Sequence, residues 1–249
     1  MKKLKDEQFL QQEKERIEKM KFYENLAYQE GFRYLAGLDE VGRGPIAGPV
    51  VSAAVILPPD FFLAGVDDSK KVSPAKRLKL AAQIKKEAIS WALGWVFPPY
   101  LDQINILNAT RETMKLALAQ LTPQPDYLLI DALKLSDITI RQCSLIKGDS
   151  LSVSIASASI LAKVERDLAM EAYDLLYPGY GLAKHKGYAT REHIQALWQL
   201  GATEIHRISF EPVKSMLSGG KYGEQPGLFE QSDAEYTYIQ RSGTESGQR

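Results

Sequence analysis

Cysteine is almost missing from this chain of 249 residues: Cys143 stands alone, so no intramolecular disulfide can form and a reducing compartment is implied. Net charge is missing too. Lys and Arg number 31 against 31 Asp and Glu, which excludes a globally basic coat for nucleic acid while leaving a local basic face open. There is no long hydrophobic run. The most apolar stretch, residues 50–57, is interrupted by Ser52 and falls far short of the roughly 20 residues that span a bilayer. The first thirty residues carry charges throughout and lack the apolar core of a signal peptide, so a cytoplasmic location is expected. Histidine is scarce: His185, His193 and His206 have no cysteine partner, and their spacing fits no common zinc pattern. What remains is 45% apolar and 25% charged, an ordinary globular balance in a chain long enough for a sizeable core.

Three zones differ in composition. Residues 1–33 are densely charged, with apolar residues at Leu10, Ile17, Met20, Tyr23 and Ala27, a spacing that predicts one solvated helix packed lightly on the domain and stopped by Gly31. Residues 34–217 form the main domain. Strands are expected at 34–40, 48–57, 91–97 and 127–131, with another at 138–142. Helices are expected from Ser73-Pro74, where Ser caps and Pro takes the first position, and at 105–121, 149–177 and 190–200. Strands that begin in succession and then alternate with helices predict an α/β fold, a mixed sheet covered by helices. Residues 218–249 turn to Gly, Ser, Gln and Glu, the composition of a disordered tail.

The acids stand in telling places. Leu35-Ala36-Gly37-Leu38 runs into Asp39-Glu40, and Tyr127-Leu128-Leu129-Ile130 runs into Asp131. Both strands thus end in carboxylates at the edge where ligand sites collect in α/β sheets. Asp149, after Gly148 and before a helical run, adds a fourth. Each alone has a plain reading: Asp149 as a helix cap, Asp131 or Asp39-Glu40 as a turn. Together, if the two strands are neighbours, they concentrate four negative charges. A pair about 4 Å apart repels by roughly 4 kcal/mol at an effective dielectric near 20. Either some acids protonate or a divalent metal neutralises them. Oxygen-only ligands favour Mg²⁺ or Mn²⁺ over Zn²⁺, and two such ions can drive in-line attack on a phosphodiester. One obstacle is geometric. Neighbours in a strand face opposite ways, so Asp39 and Glu40 share a face only if the chain bends, which Gly42 and Gly44 make easy.

Gly42-Arg43-Gly44-Pro45 follows directly. Two glycines let backbone groups approach a ligand, Arg43 can meet a phosphate, and a backbone edge near a sugar can sense a 2′-hydroxyl. Lys184-His185-Lys186-Gly187-Tyr188 puts cations beside an aromatic ring, a means of holding a nucleotide backbone. Asp68-Ser69-Lys70-Lys71 is a further basic loop.

These segments resemble the bacterial ribonuclease HII family. Gly37-Leu38-Asp39-Glu40-Val41-Gly42-Arg43-Gly44-Pro45 resembles its first motif. Asp67-Asp68-Ser69-Lys70, Ile130-Asp131-Ala132, Gly148-Asp149, the segment from Ala156 to Lys163, His185-Lys186-Gly187-Tyr188 and the segment from His206 to Phe210 agree in order and spacing over about 33–214. The Gly-Arg-Gly form argues against the sister ribonuclease HIII, which usually has lysine between the glycines. The resemblance implies a ribonuclease H-like fold with a five-stranded mixed sheet flanked by helices and a C-terminal helical subdomain. It implies an endoribonuclease that cuts the RNA strand of RNA–DNA hybrids and nicks 5′ of single ribonucleotides in duplex DNA, leaving 3′-hydroxyl and 5′-phosphate ends. By the same resemblance Asp39, Glu40, Asp131 and Asp149 are the catalytic, metal-binding acids for two Mg²⁺ or Mn²⁺ ions. Gly42, Arg43, Gly44, Lys70, Lys186 and Tyr188 contact the substrate, with Tyr188 stacking on the following deoxyribose. Alternatives are a ribonuclease HIII-like hybrid nuclease and a non-catalytic hybrid- or junction-binding protein on the same fold. A monomer without membrane contact is expected. Gln225, Leu228 and Phe229 resemble the peptide that replication proteins insert into the sliding clamp, and Cys143 is expected to fill space in the core.

Overall fold

The computed structural model describes residues 2–218. The expected disorder of the tail and the clamp-type peptide Gln225, Leu228 and Phe229 lie outside the described residues. In chain order the elements are α1 (Lys2–Met20), α2 (Phe22–Gln29), β1 (Leu35–Val41), β2 (Val50–Ile56), α3 (Pro74–Glu87), β3 (Ser90–Val96), α4 (Pro98–Ile104), α5 (Ile106–Ala119), β4 (Tyr127–Asp131), β5 (Arg141–Leu145), a 3₁₀ turn (Gly148–Ser150), α6 (Val153–Leu176), α7 (Leu182–His185), α8 (Arg191–Leu200) and α9 (Val213–Ser218). No helix of the described residues is long and apolar enough to cross a membrane. The expected five-stranded mixed sheet is present, in the order β3-β2-β1-β4-β5. β1 runs antiparallel to β2 and parallel to β4, and β5 is parallel to β4.

The chain forms two compact units. The first comprises residues up to 41, 51–94 and 111–164. Strand alternation divides its apolar residues between the sheet faces. On one face Ala53 and Val55 join Leu80 and Ile84 of α3 and Val153, Ala156 and Ile160 of α6. On the other, Ala36, Leu38, Leu128 and Ile130 meet Met114, Ala117 and Leu118 of α5. Gly37 lets α6 approach β1: a Cβ there would lie 2.2 Å from the carbonyl carbon of Ser154. The serines of α6 thus serve close helix–sheet packing, and Ser152, Ser154, Ser157 and Ser159 are all buried. Cys143, half-buried on β5, packs against the cluster of Leu129, Leu145 and Ile155.

The N-terminal segment differs from expectation. It is two helices broken at Lys21, and it is not lightly packed: Ile17, Met20, Glu24 and Ala27 are buried, and Ile17 and Met20 belong to the main cluster. Their spacing of three and four puts them on one helical face, which finds an apolar partner in the sheet's helices. Ser73 precedes α3 but makes no side-chain cap bond. The fifth strand begins three residues later than predicted. Ile138 and Ile140 pack on the core from a loop that Gln142 closes through both amide atoms to the backbone of Leu135.

Among the described residues the second unit comprises 42–50, 95–110 and 165–218. Its core gathers Ile46, Ala47, Met170, Tyr173, Leu182, Leu197, Ile205 and Val213. The sequence reading missed α4, which fills the gap left between the strand read at 91–97 and the helix read from 105, and the short α7 and α9.

Candidate active site

In the first unit β1 and β4 lie side by side, with Leu38 paired to Ile130, so Asp39 and Asp131 come next in register on the same sheet edge. Odd-numbered positions of both strands face α6, as Leu129 does against Ile155. Asp149 reaches this face from the 3₁₀ turn. That turn is tied to Asp131 directly: the Gly148 N–H donates to Asp131 Oδ1 at 2.6 Å. Left-handed backbone at Ala132 (φ 49) and Lys147 (φ 59) shapes the entries to both acids.

The electrostatics register the crowding. Asp39 is 6% exposed, and its carboxyl is held well above the ordinary value by burial, then by repulsion from Glu40 and Asp131. The Ser159 hydroxyl and the Glu40 N–H oppose that rise. Asp149 is raised by burial and by Asp68 and Asp131, with Lys70 opposing. Glu40 stands apart in one respect. β1 stays paired through Val41, so the expected bend comes only at Gly42, and alternation directs Glu40 to the opposite face from Asp39. Its charge is nonetheless the second-largest cause of the Asp39 shift.

The loop before α3 adds an acid the sequence reading passed over as part of a basic patch. Asp68 lies close enough to Asp149 to raise its pKa, and it accepts from the Lys70 N–H at 2.9 Å. Ser69 is joined to Ser159 (3.0 Å), and buried Arg77 holds the carbonyls of Ser69 and Val72. Lys71 reaches Asp67 and Ser150, both at 3.2 Å. Lys70 therefore stands among the acids, where its charge bears on Asp149.

A divalent cation fits this donor set: hard oxygens only, two of the carboxyls unwilling to ionise for want of a counter-charge. Asp39, Asp131 and Asp149 would hold it from this face, with Glu40 adding its charge from the other side of β1. Among the described residues no three Asp, Glu, His or Cys side chains are arranged so as to hold a metal ion as they stand. Asp39 Oδ1 instead accepts from the Glu40 N–H and Asp131 Oδ1 from the Gly148 N–H, so each turns one oxygen to backbone.

The second unit contains the glycine turn and the tyrosine, and brings them together. A Cβ on Gly44 would lie 3.5 Å from Tyr188 Cε1, so the glycine backbone stands directly against the ring, which is 46% exposed. Gly42 has φ +95, and a Cβ there would collide with Arg166 Nε (2.3 Å) and the Pro49 carbonyl (2.6 Å). Two buried arginines that sequence reasoning missed hold this turn. Arg207 donates to the carbonyls of Gly42 (2.6 Å), Arg43 (3.1 Å) and Gly48 (2.8 Å), and Arg166 to those of Pro49, Ala47 and Lys186. Burial lowers their pKa to about 9 and about 10, leaving both charged at neutral pH. Their charge looks like surface charge in a sequence, and nothing in the sequence around either arginine marks it as buried. Lys186 does not reach out to solvent. Its Nζ binds Glu171 at 2.7 Å and the Asp167 carbonyl at 3.3 Å.

The three histidines form a stacked core group. His185 and His193 lie 4.3 Å apart by ring centroid, and His193 Nδ1 bonds the Tyr188 carbonyl at 2.9 Å.

A mixed five-stranded sheet with acids at the carboxyl ends of β1 and β4 and at the head of α6 is the plan of a ribonuclease H-like enzyme. A sequence model of the family described as Ribonuclease HII matches residues 36–213. The Ribonuclease HII of Syntrophomonas wolfei is 66% identical over 224 residues, 90% of this chain and 88% of that one. Two solved structures share the fold. The ribonuclease H2 of Pyrococcus horikoshii has a TM-score of 0.63 at 24% identity, over 75% of this chain and 98% of the other. The RNase HII solved in a complex with PCNA from Archaeoglobus fulgidus has a TM-score of 0.62 at 26% identity, over 72% and 96%. The chain belongs to the ribonuclease HII family and is an endoribonuclease acting on RNA–DNA hybrids.

Proposed function

We propose that this enzyme cuts hybrids and also nicks 5′ of single ribonucleotides embedded in duplex DNA, by a two-metal mechanism that leaves 3′-hydroxyl and 5′-phosphate ends. The observation that carries the metal reading is the convergence of Asp39, Asp131 and Asp149 on one face, with Asp39 and Asp149 pushed toward protonation by burial and then by their acidic neighbours. Two bound Mg²⁺ or Mn²⁺ ions would supply an activated water and a counter-charge for the leaving 3′-oxygen. Asp39, Asp131 and Asp149 would bind and orient them from one face, with Glu40 completing the set from the end of β1, where its charge already acts on Asp39. Gly148, by donating to Asp131 Oδ1, fixes one carboxylate and would leave its second oxygen to a cation.

Selectivity for a ribonucleotide is assigned to the second unit. Gly42, Arg43 and Gly44 present backbone to the sugar because Gly44 carries no side chain of its own beside Tyr188. Arg207 and Arg166 hold that backbone rigid, so its polar groups are pre-aimed at a 2′-hydroxyl. Tyr188, half-exposed against Gly44, packs on the next sugar, and Arg43 meets phosphate. Lys70 contributes charge beside Asp149. Lys186 serves through its loop, since its ammonium is engaged by Glu171. The tail peptide Gln225, Leu228 and Phe229 is proposed to dock on a replication clamp. The archaeal relative solved with PCNA supports a partner of that kind.

The decisive assay offers a duplex with one ribonucleotide and a long hybrid, with Mg²⁺ or Mn²⁺, and maps product ends. Cleavage of both, 5′ of the lone ribonucleotide, is expected. Efficient cutting of the long hybrid alone would instead favour the ribonuclease HIII-like reading, and binding without cleavage the non-catalytic one.

A further inference from the structure

The N-terminal helices contain a buried carboxylate that the proposed mechanism does not use. Glu24 of α2 is 3% exposed, and its Oε1 accepts from the Ser152 hydroxyl at 2.6 Å and from the Ser154 N–H at 3.0 Å. Those are cap positions of α6. Ser152 is its N-cap, whose Oγ accepts in turn from the Ile155 N–H at 3.1 Å. One serine oxygen and one glutamate oxygen, from segments 128 residues apart, therefore satisfy two of the four orphan donors at this helix end. The site suits an anion because the helix dipole is positive there. Burial works against the charge and raises the Glu24 pKa, and Oε2 finds no hydrogen-bond partner among the described residues. A costly buried carboxyl has been kept where an apolar contact would have served docking alone.

The cap leads straight to the acids. The Ser152 N–H donates to the Gly148 carbonyl at 2.8 Å, closing the turn that contains Asp149, and the Gly148 N–H donates to Asp131 at 2.6 Å. Glu24, Ser152, Gly148 and Asp131 thus form one continuous bonded path, with Asp149 held on the turn between its links. Helix α1 grips the other side of the acids. Glu13 accepts from the Gly65 N–H at 2.6 Å, and Arg16 donates to the Val66 carbonyl at 2.8 Å, two residues before the loop that brings Asp68 to Asp149.

We propose that Glu24 is a positioning residue for the acid site: by capping α6 from the N-terminal helices it sets the turn that presents Asp149. The inference rests on the reading of the acids as a metal site, and its test separates the two. Full-length Glu24→Ala, Glu24→Gln and Ile17→Val are compared with wild type. Ile17, 1% exposed in the same helices, controls for loosened packing without touching the cap. Amide exchange is measured on the metal-free proteins and Mn²⁺ affinity by calorimetry. Glu24→Ala should speed exchange across residues 148–154 about fivefold, the size of a lost cap. It should weaken Mn²⁺ binding about tenfold, as loss of an outer support does. Glu24→Gln, which keeps the acceptor oxygen, should recover most of both. Ile17→Val should lower the melting temperature and change neither. A Glu24→Ala that behaves like Ile17→Val, or that speeds exchange while binding Mn²⁺ normally, overturns the proposal. If wild type takes up no Mn²⁺ beyond Asp149→Asn, the metal reading falls instead, and the exchange comparison still decides whether Glu24 fixes this turn.

Discussion

His193 Nε2 lies 3.1 Å from His206 Nε2, and that contact fixes the tautomer of both buried rings. The Thr203 N–H donates to His206 Nδ1 at 3.0 Å, so the His206 proton must sit on Nε2. It is therefore the donor to His193 Nε2, which leaves the His193 proton on Nδ1, facing the Tyr188 carbonyl at 2.9 Å. The pair works only when neutral. Adding a proton to either ring sets N–H against N–H.

Acid should therefore loosen the second unit. Burial, with the neighbouring imidazoles, depresses His193 from 6.5 to about 4 and His206 from 6.5 to about 3. Between those values and 6.5 the unfolded chain binds more protons, so stability rises with pH. The contribution is complete above the unfolded pKa of 6.5 and is lost as pH falls toward the folded values. The carboxyls with raised pKa act in the opposite sense, so the measurement is a difference. The urea stability of wild type minus His206→Gln should shrink between about pH 7 and about pH 5. A gap that stays constant would mean that the pair is not linked to folding.

Gly42 and Gly44 read alike in sequence and should behave differently. Gly42→Ala puts a Cβ 2.3 Å from Arg166 Nε and 2.6 Å from a carbonyl oxygen, at φ +95. It should cost more than about 1 kcal/mol of stability, read as a fall in melting temperature. Gly44→Ala meets only ordinary contact at 3.5 Å, so the protein should melt within a few degrees of wild type. The added methyl would nonetheless occupy the backbone edge beside Tyr188. Cleavage at a lone ribonucleotide should drop at least tenfold, with long hybrids affected less, and Tyr188→Ala should show the same bias. Equal losses on both substrates would remove the turn and the tyrosine from junction reading.

The sheet was legible because its residues obey one rule each. β4 is an apolar run ended by an acid, and its observed span, Tyr127–Asp131, is the one read from sequence. The register that sets Asp39 beside Asp131 was not legible, since pairing depends on contacts far apart in the chain. Motif spacing pointed to the four acids, yet not to Asp68, whose neighbours Lys70 and Lys71 gave the loop a basic look. Arg166, Arg207 and Glu24 were hidden for a single reason. A charged residue reads as solvated unless its burial is known, and these three are 0%, 0% and 3% exposed.

Arg207 should be the most sensitive position of the second unit. It donates to three carbonyls across the turn at 42–48, and its removal strands buried acceptors that each cost about 1–3 kcal/mol. Arg207→Met keeps the apolar stem and should still unfold several degrees lower. Arg207→Lys restores the charge without the fork and should recover only part. Full recovery by lysine would show that charge, and not the planar donor set, holds the turn.

Removing a charge from the acid pocket should do the reverse and stabilise the metal-free protein. Asp39 is buried among carboxyls that raise its pKa, so ionising it at neutral pH costs folding free energy. Its favourable share is complete only below the ordinary carboxylate value of 3.8 and is lost as pH rises through the raised one. Asp39→Asn removes that cost. In EDTA at neutral pH it should melt at or above wild type, while cleavage falls below detection. Asp131→Asn keeps an oxygen for the Gly148 N–H and should likewise hold its melting temperature while losing activity. Mn²⁺ should raise the melting temperature of wild type and leave both variants nearly unmoved, because a cation that binds only the folded state stabilises it, by an amount that grows with the logarithm of its concentration over its dissociation constant. A large fall in the EDTA melting temperature of either variant would identify these acids as structural supports, and equal Mn²⁺ shifts in all three proteins would locate the ion elsewhere.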